Sequence, residues 1–175
     1  MNQLTRAPFN VLFLCTSNSA RSIMAECVLN RLGGGRFRAF SAGSHPRGEL
    51  HPMTVETLQR LNFKLDGLRS KSWNEFTRPD SPPLDFVFTV CDQAAKETCP
   101  VWPGQPLTAH WGITDPAAFV GEREDQLRVF TRAFLELSNR IRIFTSLRIE
   151  DLDEFSLQRR IDAIGRVHLP RTEAG

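Results

Sequence analysis

The stretch VLFLCTSNSARS, residues 11–22, runs from apolar residues into a cysteine, then five small or polar residues, an arginine and a serine. Its first part, NVLFLC at 10–15, shows no alternation, as expected of a strand buried on both faces of a parallel sheet. The pattern then switches to helical spacing in ARSIMAECVLNRLGGG, residues 20–35, closed by glycines. This is a β-loop-α unit, and it sets the fold class. Outward from it, RFRAFSAG (36–43) reads as a second strand and HPMTVETLQRLN (51–62) as a helix. DFVFTV (85–90) reads as a third strand, and PLTAHWG (106–112) as a fourth after the turn-rich PVWPGQP. Strands separated by helices imply a parallel sheet, so the predicted architecture is α/β, with four parallel strands flanked by helices.

From Glu122 onward, Leu127, Phe130, Phe134, Leu137, Ile141 and Phe144 recur at spacings of three and four, which predicts one long amphipathic helix laid on the sheet. Leu157, Ile161 and Ile164 continue the pattern in a C-terminal helical segment. A chain of 175 residues suits one domain. It divides into a principal unit, 1–146, and a helical extension, 147–175, which either completes the same domain or serves as a subunit contact.

Composition narrows the function classes. A net charge of +2 with 24% charged residues is a mixed surface without a basic block, which argues against nucleic acid as a partner. No apolar run is long enough to span a bilayer, and MNQLTRAPFN lacks the core of a signal peptide, so the expected setting is the cytoplasm, away from membranes. In that compartment the four cysteines stay reduced and are expected to serve chemistry or core packing rather than stapling.

Cys15 falls where the first strand ends and a helix begins, the edge at which open α/β sheets bind ligands. Thr16, Ser17, Asn18, Ser19 and Ala20 are short enough to let their backbone N–H groups turn inward, and the helix N-terminus adds partial positive charge. Arg21 brings a planar fork suited to two oxygens of a tetrahedral oxyanion. The same surroundings favour a thiolate at Cys15, to which Ser22 offers a hydroxyl. An anion cradle with a nucleophile at its centre is the resulting expectation. Cys27, on the first helix near Ile23 and Met24, reads as core.

The pattern C-x-x-x-x-x-R-S after an N-terminal strand resembles the low-molecular-weight protein tyrosine phosphatase superfamily, and the resemblance runs from about Asn10 to Ser146. It implies a general acid in a late Asp-Pro pair, which places that role on Asp115, before Pro116. Family loops generally carry glycine where this chain has Ser17, so a positive φ there would strain the serine. Ala117 and Ala118 stand where the phosphatases place aromatic walls, and the chain has no tyrosine. Together with VFTVCDQAAKETCP, residues 87–100, and HWGITDPA, residues 110–117, this resembles the arsenate reductases built on the same fold, which use a relay of three cysteines. That resemblance implies attack of Cys15 on arsenate, with phosphate and sulfate as competing anions, and a disulfide passing through Cys91 to Cys99. A thioredoxin, or glutathione with glutaredoxin, then supplies the electrons; no cofactor is implied. A helical 91–99 would part the two α-carbons by about 12 Å, so the segment must rearrange to join them.

Three other readings stand beside this one. A phosphatase acting on phosphotyrosine or small phosphate esters would use the same cradle. An oxyanion-binding redox sensor would use the same thiols. A zinc site of Cys91, Cys99 and His110 has wider spacing than paired zinc cysteines show. The resemblance further suggests a potassium site at Asn18, Glu26 and Ser41, with Trp73 where its aspartate would align, and no metal is assigned.

Overall fold

The computed structural model describes residues 6–170; residues 1–5 and 171–175, the outer ends of the two expected segments, lie outside it. Four strands, β1 (Phe9–Cys15), β2 (Phe37–Gly43), β3 (Phe86–Thr89) and β4 (Leu107–His110), form one parallel sheet in the order β2-β1-β3-β4. The central position of β1 explains its unbroken apolar run. Successive side chains point to opposite faces, and both faces are covered. Val11, Phe13 and Cys15 join the larger core, while Leu12 and Leu14 join a second cluster with Ala42, Phe76, Leu84, Val87 and Trp102.

The larger core lies under α1 (Arg21–Leu32), α2 (Pro52–Arg60) and the long α4 (Arg123–Thr145). All six residues of the expected α4 stripe are buried, and Phe144 packs edge-on against Phe86, Phe88 and Trp111. A short α3 (Asp92–Lys96) follows β3. The last described helix is α5 (Glu154–Ile164), which buries Leu157, Ile161 and Ile164. It lies against β4, where the indole of Trp111 donates to the Ile161 carbonyl at 2.9 Å. Gly165 follows so close to the His110 carbonyl that any Cβ would collide with it. No described helix is long and apolar enough to cross a membrane.

Candidate active site

The loop after β1 is held open from outside. The Thr16 carbonyl accepts from the His45 amide, that of Ser17 from the Arg47 amide and the Ser70 hydroxyl, and that of Ser19 from the His51 amide and the Thr54 hydroxyl, all at 2.8–3.1 Å. With these carbonyls bonded outward, no described residue accepts from the amides of residues 17–20. α1 has no side-chain cap on its N-terminus, where Ala20 stands. Unsatisfied amides at an open helix N-terminus form an anion site.

Two buried residues brace the loop. Asn18 takes the positive φ of 45°, and Ser17 does not, so the strain expected at the serine is absent and falls on a residue type that tolerates it. The Asn18 side chain donates to Ser22 Oγ at 2.8 Å and accepts from the Lys71 amide at 2.9 Å. Ser22 is thus tied to Asn18, and no hydrogen bond joins it to Cys15. Gly43, paired with Cys15 across the sheet, is required by close approach: a Cβ there would strike the Thr16 carbonyl.

Cys15 is buried, and so is Cys91. Cys91 stands two residues past the end of β3 as the N-cap of α3, its sulfur accepting from the Ala94 amide at 3.3 Å and lying 3.6 Å from Thr16 Oγ1. Through Thr16, the residue after Cys15, the Cys91 sulfur reaches the start of the loop, and each thiol shifts the other's proton affinity. A side-chain hydrogen bond to Cys91, reinforced by burial, raises the Cys15 thiol, while Arg21 and the Thr16 amide oppose the rise. The same bond lowers Cys91 to about 5, against burial and with help from the Ala94 amide. The two thiols therefore titrate as a pair, with Cys15 pushed up and Cys91 pushed down.

Arg21 donates through Nη1 to the Ile113 carbonyl at 3.0 Å, and its Nη2 lies 3.6 Å from Asp115 Oδ1. Its Nε is buried without a partner, a donor suited to an incoming oxyanion. Asp115 is half-exposed and caps the short 3₁₀ turn Pro116–Ala118 by accepting from the Ala117 amide at 3.0 Å. Arg21, Cys91 and Asp115 line one open cleft of about 940 Å³.

Cys99 lies apart. It is exposed and lines a different cavity, with Trp102 and His110. Burial of part of its surface and the charge of Glu97 push its thiol up. The helix after Cys91 stops at Lys96, because Glu97 is already extended, three residues before Pro100. Among the described residues no cluster of three or more His, Cys, Asp or Glu suits a metal, and His110 instead bridges Thr89 and Asp92 at 2.8 Å each.

The suggested potassium ligands do not fit a free cation. Both amide atoms of Asn18 are engaged, and the ammonium of Lys71 supplies positive charge beside Glu26. Burial lifts Glu26 to about 7, with Lys71, the Ser41 backbone and Arg69 pulling the other way. Cys27 is buried in the core, as its helical position suggests. The sequence reading missed His51, whose ring accepts from the Met53 amide to cap α2 and packs at a tilt against Phe130, 4.9 Å between ring centres. The His51-Pro52 pair at the start of a helix was the available signal.

The low molecular weight phosphotyrosine protein phosphatase family matches residues 10–154, and the chain belongs to that family. Within it, the chain is 31% identical over 134 residues to the arsenate reductase of Oceanobacillus iheyensis, a match spanning 77% of this chain and 93% of that one. Two solved structures are similar. An arsenate reductase from Archaeoglobus fulgidus superposes with a TM-score of 0.60 at 27% identity, covering 78% of this chain and 99% of the other. A low molecular weight protein tyrosine phosphatase from T. tengcongensis does so with a TM-score of 0.62 at 25% identity, covering 82% and 99%.

Proposed function

We propose that this protein reduces arsenate to arsenite, and the observation that carries the reading is a second buried thiol, Cys91, whose sulfur lies 3.6 Å from Thr16 Oγ1, at the residue that follows Cys15 in the oxyanion loop. A phosphatase has no chemical use for a second thiol at its nucleophile. Support also comes from the similarity to arsenate reductases over most of the chain.

The loop amides and the Arg21 fork take the arsenate oxygens, and the Cys15 proton passes to an oxygen of the bound anion, which leaves Cys91 available as a thiolate for the later step. The Cys15 thiolate attacks arsenic, and an oxygen leaves as water with the proton of Asp115. A thiolate at Cys91 then attacks the Cys15 sulfur. The sulfur–arsenic bond breaks, its electron pair stays on arsenic, and arsenite departs from a Cys15–Cys91 disulfide. Cys99 attacks Cys91, freeing Cys15 and leaving Cys91–Cys99, which a dithiol protein of the thioredoxin or glutaredoxin type reduces with two electrons. Cys91 is buried at the start of α3 and Cys99 is exposed beyond its end, so on this reading α3 rearranges to join them. A helix of five residues is a low-cost element to refold.

The cradle accepts phosphate by the same geometry, so slow hydrolysis of aryl phosphates through Cys15 is a side activity. Arsenate-dependent NADPH oxidation, with thioredoxin and its reductase or glutathione and glutaredoxin in parallel, tests the reading. Turnover in either system supports it, and aryl phosphate hydrolysis without arsenite release overturns it.

A further inference from the structure

Arg140 has no part in the chemistry above, yet its side chain is fully buried in α4. A buried guanidinium is costly unless every donor is matched, and here the matches join two distant segments. Nη1 donates to the carbonyls of Trp111 at 2.6 Å and Gly112 at 3.1 Å, at the start of the loop that carries Ile113 and Asp115. On the other side, Nε donates to the Val167 carbonyl at 3.0 Å and Nη2 to His168 Nδ1 at 3.3 Å. Val167 and His168 lie beyond the residues matched by the family. His168 lines the same cleft as Arg21 and Asp115, and Arg132, also on that cleft, ties down the Pro170 carbonyl at 3.1 Å.

We propose that the C-terminal tail is part of the catalytic apparatus, with Arg140 as the positioning residue that ties it to the loop carrying Asp115. The chain of contacts runs from Val167 and His168 through Arg140 to Trp111 and Gly112, and then by Ile113, whose carbonyl orients Arg21. Fixing these backbone carbonyls fixes both the general acid and the oxyanion fork. Misplacement of a catalytic group by about 1 Å lowers rates by up to ~10²-fold. The inference rests on the proposed roles of Asp115 and Arg21.

The test compares wild type with the full-length variants Arg140→Lys, which keeps the charge and loses the fork, and His168→Ala, an exposed position. Single-turnover arsenite formation, hydrolysis of phenyl and p-nitrophenyl phosphate, and amide hydrogen exchange across residues 111–117 are measured with the melting temperature. Arg140→Lys is expected to lower kcat by about 10- to 100-fold, with the loss larger for phenyl than for p-nitrophenyl phosphate because the poorer leaving group depends more on Asp115. Exchange across 111–117 should quicken in both variants, with a smaller rate loss in the same order for His168→Ala. Equal losses for the two esters, or unchanged exchange, would overturn the proposal. If Arg140→Lys fails to fold, His168→Ala decides by the same readouts. If wild type neither reduces arsenate nor cleaves either ester, the functional reading has failed, and the exchange result alone accepts or rejects the coupling.

Discussion

Arg21 Nη2 stands 3.6 Å from Asp115 Oδ1, so the guanidinium proposed to hold the oxyanion faces the carboxyl proposed to serve the leaving oxygen. On the proposed mechanism a tetrahedral anion replaces that pairing with a better one, since it can also meet the unpartnered Nε and the loop amides. On the same mechanism Asp115 is then free to turn toward the leaving oxygen.

Replacing Asp115 with Asn should slow formation of the covalent adduct by roughly 10²- to 10⁴-fold, the range for general acid catalysis, with the fold retained because the residue is half-exposed. Rapid-quench kinetics with arsenate would show it. A variant that forms the adduct at the wild-type rate would assign the proton to another group.

The thiol pair gives a second prediction with a definite sign. Cys91 is the largest influence raising the Cys15 thiol, so Cys91→Ser should lower the Cys15 pKa, leaving Arg21 and the Thr16 amide to oppose burial. Iodoacetamide should then alkylate Cys15 faster at pH 7 than in wild type, where the neighbouring Cys91 raises the Cys15 thiol. Slower alkylation of Cys15 in the variant would contradict the coupling of the two thiols.

Glu26 sets a pH dependence of stability. Its carboxyl holds a proton to about 7 in the folded chain against 4.5 ordinarily, chiefly through burial. A raised pKa gives stability that is complete below about 4.5 and lost as pH rises to about 7, on the order of 3 kcal/mol at most. Denaturant melts of wild type minus Glu26→Gln should therefore slope downward between pH 4.5 and 7. A flat difference would place the carboxyl in a solvated or fully paired state.

Much of this arrangement was legible before any coordinates. The unbroken apolar run into Cys15 identifies a central parallel strand because only such a strand is covered on both faces, and the spacing of Arg21 follows from a loop that must begin a helix. The α4 stripe was equally plain, since a period of 3.6 has one physical cause. Arg140 was not, because a buried arginine is satisfied by carbonyls 28 and 29 residues away in sequence, which no local pattern encodes. Lys71 beside Glu26 was hidden for the same reason. The positive φ at Asn18, where a glycine one place earlier had been the reference, depends on how the loop carbonyls are anchored by residues 45–70.

The most direct measurement of the relay is peptide mapping after one pulse of arsenate on the fully reduced protein. The account predicts Cys91 joined to Cys99 in wild type, and Cys91 joined to Cys15 in Cys99→Ser, with one equivalent of arsenite released per chain in each. Finding both cysteine pairs still reduced while arsenite is released, or full thioredoxin-coupled turnover by Cys91→Ser and Cys99→Ser alike, would contradict it.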